Sequence, residues 1–507
     1  MSGTPNAVPR VLVAHSYYLK YDAKQTRKMK PYPPLATLIT AAILKKAGYE
    51  VILFDAMLSE GEEEFERLLE ETAPTIVGLL EDNFNFLTKM CTTQMRAAGA
   101  RMIAAAHAHG CRVAVNGSDA TDQPELYLAA GADAVIAGET ERTFPELIAA
   151  WTSHPAGADD SLLRARLHEI RGLILPPPGG DDTFPPTHTP PRAFVEDLDA
   201  LPLPAWELVD VERYRRAWTS AHGRLSWNMV TTRGCPYHCN WCAKPLYGVR
   251  YAQRAPASVA EELRLLKESV APEHIWFADD IFGLTPRWIE SYGEEVVKRG
   301  AMIPFTMQSR ADLMKPSAVA ALAAAGAEEV WMGVESGSQQ ILDAMEKGIR
   351  IEQVREATRL LREHGIRASW FIQLGYPGEE FGEILETRDL IRAERPDDIG
   401  VSVSYPLPGT KFYERVKEQL GAQTNWSDSD DLAMMFEGTY SGPFYRKVRD
   451  LLHEEAAPHP ESGRAGRLQA LDTAWQELAA HQEEYRSARP TPVAVLSDSG
   501  AHPLVAG

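Results

Sequence analysis

Short apolar runs alternate with amphipathic stretches along two long portions of the chain. In the first portion, RVLVAHS, YEVILFDA, TIVGLLE, CRVAVNGS and ADAVIAG read as strands. Between and after them, PLATLITAAILKKAG, EEEFERLLEETAP, a stretch through about 88–109, PELYLAAG and TFPELIAAW read as helices. Strands separated by helices of this length predict a parallel sheet with helices on both faces and right-handed crossovers. Ligands of such sheets bind beyond the carboxyl ends of the strands. Those ends are His15–Tyr18, Asp55–Ala56, Leu80–Asn85, Asn116–Asp119 and Gly138–Glu141.

A second alternation starts near residue 223. LSWNMVTT, HIWFADD, PFTMQSR, EEVWMGVES, RASWFIQLGYP and DIGVSVSYPL are strands, each followed by a helical stretch. Consecutive βα units of this kind predict a partial (β/α)6 barrel built like part of a TIM barrel, with its site at the strand carboxyl ends. The fold class is therefore α/β, a doubly wound Rossmann-like domain followed by a partial barrel. The expected organisation is residues 1–151 for the first domain and 152–222 for a linker. Residues 223–420 form the barrel, and 421–507 a small, mostly helical C-terminal cap with a disordered tail. The linker is rich in Pro and Asp (PPPGGDDTFPPTHTPPR), which predicts an extended, mostly irregular path.

Composition narrows the class. The chain has 507 residues, 44% hydrophobic and 24% charged, as in ordinary globular proteins. No run approaches the ~18 apolar residues of a membrane helix. The N-terminus lacks a charged segment followed by an apolar one, so a cytoplasmic location is expected. A formal charge of −19 argues against nucleic acid as the main partner. The five cysteines are too few and too uneven for a secreted disulfide framework. Cys91 and Cys111 read as buried thiols.

The other three lie in TTRGCPYHCNWCAKPLYG, as Cys235, Cys239 and Cys242. The spacing is C-x3-C-x2-C, directly after the first barrel strand. Thiolates are the ligands of iron–sulfur clusters. Three ligands on a four-iron cluster leave one iron open. That iron can chelate the amino and carboxylate groups of S-adenosylmethionine (SAM) and pass one electron to its sulfonium. A structural zinc site normally takes four ligands, and here His238 inside the loop is the only local candidate.

The loop resembles the signature of the radical SAM superfamily, including Trp241 before the third cysteine. The resemblance continues downstream, one motif per strand: WFADDIFG with Asp279, QSRAD with Arg310, GVESGSQQIL with Glu335 and Ser336, and FIQLGYPGE with Gln373 and Gly375. It implies that these residues bind SAM beside a single 4Fe-4S cluster held by the three cysteines. On chemical grounds, Arg310 suits a carboxylate, Glu335 suits hydroxyl or ammonium groups, and Gly375 allows backbone to approach a base.

The first domain resembles the cobalamin-binding domain found upstream of the radical domain in one branch of that superfamily. The resemblance rests on KPYPPLATLITAAILKKAGYEV, NGSDATDQPE and GADAVIAGETERTFPEL. It implies cobalamin contacts from Ser16, Tyr17, Leu80, Glu81, Asn83, Asn116, Gly117, Ser118, Thr121, Gly138 and Glu139. A flavodoxin-like sheet for another nucleotide is the rival reading. The D-x-H-x-x-G motif is absent: Asp55 is followed by Ala-Met, and His15, His107 and His109 lack its context. No histidine is therefore expected below the cobalt, and the loop Leu80–Phe86 is expected there instead.

The implied activity is cobalamin-dependent C-methylation of an unactivated carbon in a small metabolite, through a 5′-deoxyadenosyl radical and methylcobalamin. The alternative keeps the cofactors but oxidises, cyclises or rearranges, since the motif style also resembles the anaerobic magnesium-protoporphyrin ester cyclase group. A one-electron reductant such as flavodoxin or ferredoxin is implied. A tRNA methylthiolating enzyme would need three more cysteines in its first domain. No residue stands out as a catalytic acid or base. Tyr247, Arg250 and Arg254 are candidates for contact with substrate or cofactor. Trp426, Met434, Met435, Phe436, Tyr440, Phe444 and Tyr445 are candidates to cap the cavity, with simple packing as the plainer reading.

Overall fold

A computed structural model describes residues 9–85, 88, 92–154, 160–177, 185–242, 247–421, 432, 434–458, 464–488 and 491. Phe86, Cys91, Trp426 and the last sixteen residues of the expected tail lie outside them. The first sheet has the order β2-β1-β3-β4-β5-β6-β7. Its strands are β1 (Arg10–Ala14), β2 (Glu50–Phe54), β3 (Ile76–Leu80), β4 (Arg112–Asn116), β5 (Ala134–Ile136), β6 (Leu173–Leu175) and β7 (Thr187–His188). The first five run parallel. The order reverses between β1 and β3, which opens a crevice at their carboxyl ends. Every residue of β3 is buried, as a central strand covered on both faces requires.

The segment 152–222 corrects the expectation of an irregular linker. It contains helices Asp160–Glu169 and Val211–His222, and it supplies β6 and β7, which pair antiparallel on the edge of β5. The physical reason is that β5 would otherwise present an open edge. The apolar triplet Leu173–Leu175, wholly buried, covers it. A Pro- and Asp-rich composition hid so short a strand.

The second sheet is β8 (Ser226–Met229), β11 (His274–Phe277), β12 (Phe305–Ser309), β13 (Ala327–Glu335), β14 (Arg367–Leu374) and β15 (Asp398–Val403), side by side in chain order. All neighbours are parallel. This is the expected partial barrel. A small ribbon of β9 (Thr232–Arg233) and β10 (Ala252–Gln253) brackets the cysteine loop. The C-terminal helices Gly442–Ala456 and Arg464–Ala480 clasp helix Phe381–Glu394. Glu455 pairs there with Arg392 and accepts from Trp475 Nε1 at 3.0 Å. Tyr440, Phe444 and Tyr445 belong to the barrel core, which is the packing role. Met435 and Phe436 are buried in a second cluster with Tyr376 and Phe412.

The two sheets share one core: Tyr17, Leu38, Met57 and Met95 of the first pack with the barrel residues. Polar contacts pin the same seam. Asn228 Nδ2 donates to Pro33 O at 2.9 Å, and Trp218 Nε1 to Pro31 O at 2.6 Å. A buried chain joins Tyr32, Ser226, His274 and Thr306, with spacings of 3.0, 2.8 and 2.9 Å.

Arg233 makes the tightest link. Its guanidinium meets Glu139 and Glu141 of the first domain at 2.5 Å each, and all three side chains are about 5–6% exposed. The rings of Phe84 and Tyr247 lie 5.6 and 5.3 Å from it. An Arg233→Met substitution leaves two buried carboxylates without their cation. It is expected to cost ~3–5 kcal/mol, read as a lower denaturant midpoint.

Burial and the Arg224 charge lower the His274 pKa to about 4. A folded-state value below the unfolded one means that the neutral ring stabilises the fold. That contribution is complete above pH ~6.5 and is lost as pH falls toward 4. Within that window the wild type should lose about 1.4 kcal/mol per pH unit more than His274→Gln in denaturant titrations. Equal pH slopes in the two proteins would contradict this.

Candidate functional site

Backbone contacts and the Asn240 side chain hold the described part of the cysteine loop. Gly234, at φ 76°, approaches the Arg250 carbonyl so closely that any Cβ would collide with it. Cys235 N–H then donates to Gly248 O at 3.4 Å, and Cys242 N–H to Cys239 O at 3.3 Å. Asn240 anchors the loop to the turn after helix Gln339–Ala344: its N–H donates to Met345 O at 3.1 Å and its Nδ2 to Ala344 O at 2.8 Å. Tyr376 OH donates to Asn240 Oδ1 at 3.0 Å. Cys235, Cys239 and Cys242 form no disulfide and are partly exposed at the carboxyl end of the barrel. Trp241 packs on the cluster of Tyr376, Phe412 and Met434, with its Nε1 buried and unpartnered.

The barrel residues fall into two groups. Arg310 and Glu335 form a charged nest. Arg310 Nε donates to Asp312 at 2.9 Å, and its guanidinium stacks 3.6 Å from the Tyr237 ring, inside the cysteine loop. Glu335 sits at φ 66°, a strained conformation for a residue with a side chain. Its Oε1 accepts from Lys347 Nζ at 2.7 Å, and both groups are buried. Burial alone would lower the Lys347 pKa; the Glu335 and Cys239 charges outweigh it and raise the value.

The other expected SAM residues shape the walls. Asp279 accepts from the N–H and hydroxyl groups of Thr231 and Thr232 at 2.7–3.0 Å, bracing the chain that leads into the loop. Burial pushes its carboxyl up to about 6 against those four donors. Ser336 Oγ accepts from Ser338 N–H at 3.1 Å, within a turn. Gln373 Nε2 donates to Ser404 Oγ at 2.8 Å. Gly375, at φ 73°, lies against Met434 and Tyr445, where an added Cβ would come within 3.1 Å of each. Its N–H donates to Glu379 at 2.6 Å. Burial lifts the Glu379 carboxyl to about 8 and leaves its other oxygen unpartnered.

In the first domain, the crevice between β1 and β3 gathers Ser16, Glu81, Asn83, Asn116, Gly117 and Ser118. Ser16 donates from N–H and Oγ to Glu81 Oε1, at 2.9 and 2.6 Å. Asn83 Nδ2 donates to Asn116 Oδ1 at 3.2 Å, and Asn116 Nδ2 to Gly138 O at 2.8 Å. Glu81 Oε2, Asn83 Oδ1 and Ser118 Oγ are buried with no partner in the fold. Unpaired buried polar atoms are costly, and three of them at one switch point fit a bound polar ligand such as cobalamin.

Other expected contacts are engaged elsewhere. Thr121 Oγ1 donates to Gly117 O, and Leu80 O accepts from Thr37. Tyr17 lies in the shared core. Glu139 is consumed by Arg233 and by Val195 N–H, so its carboxylate braces the domain seam. His15 Nε2 lies 3.0 Å from Asp55 and 3.1 Å from Ala56 N. Asp55 also accepts from Tyr214 OH at 2.6 Å.

Past the loop, Arg254 is buried on Glu262 and Val230 O. Tyr247 stacks on Phe84. Arg250 lies over Phe194 at the rim of a cavity of about 440 Å³ between the loop and Glu139. Arg233, Asn240, Tyr237 and Lys347 were not singled out by sequence. Adjacency to the cysteines was a signal for the first three; nothing local marked Lys347.

A model of the radical SAM superfamily matches residues 229–391, and a model of the B12 binding domain matches residues 30–148. An uncharacterized methyltransferase of Pyrococcus horikoshii is 26% identical over 78% of this chain and 81% of that protein. The hopanoid C-3 methylase of Methylococcus capsulatus is 25% identical over 81% of this chain and 73% of its own. The anaerobic magnesium-protoporphyrin IX monomethyl ester cyclase of Rubrivivax gelatinosus is 24% identical over 81% and 70%. The radical SAM methyltransferase TsrM from Kitasatospora setae, solved with cobalamin and a 4Fe-4S cluster, aligns at TM-score 0.64 and 22% identity, covering 83% of this chain and 80% of TsrM. The cobalamin-dependent radical enzyme OxsB aligns at TM-score 0.65 and 18% identity, covering 94% and 72%. These structures establish a shared fold. With both family models matched in chain order on the two sheets, the chain carries a B12-binding domain followed by a radical SAM domain.

Proposed function

We propose that the protein is a cobalamin-dependent radical SAM C-methyltransferase acting on a small molecule. The observation that carries this is the seam itself. Arg233, two residues before Cys235, is bonded to Glu139 and Glu141 just beyond β5. The carboxyl ends of both sheets therefore open toward one junction, as transfer between two cofactors requires. Relatives named as methyltransferases and a methylase support the same reading.

When bound, the cluster, SAM and cobalamin supply the electron, the adenosyl radical and the methyl group. The chain's own residues bind and orient. Cys235, Cys239 and Cys242 hold the cluster, and Asn240 fixes their loop. Arg310 takes the SAM carboxylate by a charge-assisted pair, and Glu335 takes its amino or ribose groups. Trp241, Gln373 and Gly375 shape the adenine side. Ser16, Glu81, Asn83, Asn116 and Ser118 would offer the polar lining for cobalamin. His15 is held by Asp55.

Anaerobic protein reconstituted with iron, sulfide and cobalamin should release 5′-deoxyadenosine on reduction in the presence of SAM. With deuteromethyl SAM and an extract of metabolites, one small molecule should gain a trideuteromethyl group in place of hydrogen. The Cys235→Ala, Cys239→Ala, Cys242→Ala triple variant should do neither. The relatives named as ester cyclases keep a second reading open: loss of hydrogens or gain of oxygen without label would establish it instead. Absence of deoxyadenosine would sink the radical reading.

A further inference from the structure

The turn after helix Gln339–Ala344 does more than anchor the cysteine loop. It projects Lys347 inward, so that its side chain is 7% exposed. A lysine this buried normally costs several kcal/mol unless paired. Here Glu335 supplies the pair at 2.7 Å, and nothing else is bonded to either side chain among the described residues. Two features of β13 exist to admit it. At Gly333, an added Cβ would sit 2.5 Å from Lys347 Nζ and 2.6 Å from Glu335 Oε1. Between Gly333 and Glu335 the register with β14 shifts by a bulge, and Glu335 turns to φ 66°. Bulges and strained residues of this kind re-aim side chains at functional sites.

The surroundings say what the charge is for. Gly348 O, one residue on, accepts from Arg310 Nη2 at 3.4 Å, so both buried cations share one turn. Met345 O and Ala344 O hold Asn240, the residue after Cys239. Because Asn240 follows Cys239 and Met345 precedes Lys347 by two residues, the 3.1 Å bond from Asn240 N–H to Met345 O brings the lysine's turn against the Cys239 end of the loop. A cluster with three thiolate ligands is anionic, and accepting an electron makes it more so. A fixed positive charge in a low-dielectric site favours that reduced state.

We propose that Lys347 is a positioning residue of the radical site: it locks Glu335 in its left-handed turn and sets a positive charge beside Cys239 that favours reduction of the cluster. The inference rests on the radical SAM reading. The electron comes from an external one-electron donor, and Lys347 neither gains nor loses a proton.

The test is a redox titration of the reconstituted cluster, followed by electron paramagnetic resonance. Lys347→Gln keeps an amide donor for Glu335 but removes the charge; Lys347→Arg keeps the charge. The glutamine variant should hold a wild-type amount of cluster iron. Its reduction equilibrium should fall at least ~10-fold, a shift of ~59 mV for one electron. The arginine variant should stay near wild type. A wild-type midpoint in the glutamine variant would overturn the proposal. So would a glutamine variant that no longer folds, because the lysine would then be a tie of the scaffold. A wild-type protein that takes up no cluster would instead refute the radical reading itself.

Discussion

The buried pairing of Arg233 with Glu139 and Glu141 is the contact on which the rest of the architecture turns. A guanidinium removed from water is tolerated only with matched anions and well-aligned hydrogen bonds. Here both anions come from the other domain. The first sheet cannot move away from the barrel without exposing or orphaning three charges. Because Arg233 leads through Gly234 into Cys235, that constraint is passed directly to the cysteine loop. The rings of Phe84 and Tyr247 add an aromatic collar, one ring from each domain.

A second constraint fixes the other end of the loop. Asn240 is bonded to the turn carrying Lys347, and Lys347 in turn is bonded to Glu335. The loop is thus gripped from the cobalamin side by Arg233 and from the barrel side by Asn240. Cys235 and Cys239 lie between these grips, and Cys242 lies two residues past the second. Asp279 stiffens the approach by gathering both threonines before the loop. Of the residues expected to touch SAM, Asp279 and Ser336 act mainly on the chain that carries the site. Arg310 and Glu335 form its charged floor.

The first domain shows the converse pattern. Its crevice leaves Glu81 Oε2, Asn83 Oδ1 and Ser118 Oγ buried and unpaired. Three such atoms gathered at one switch point lie where a bound ligand can meet them. Burial holds the Glu81 carboxyl above its ordinary pKa and Asp82 at about 6.

The sequence by itself determined the two alternations of strand and helix and the cysteine triad. Periodicity encodes burial locally, and a C-x3-C-x2-C loop after a strand needs no distant partner to be recognised. Resemblance in five successive strand-end motifs added Arg310 and Glu335. What only the tertiary structure decided lies across long separations. Lys347 pairs with Glu335 because a bulge and Gly333 open the space for it. Glu139 was expected to face the cofactor, yet it meets an arginine more than ninety residues downstream in the chain. The strands β6 and β7 form only because β5 offers an edge to cover. The three cysteines were legible at once. Their setting was not, because partners for buried charges are chosen by the folded geometry rather than by neighbours in the chain.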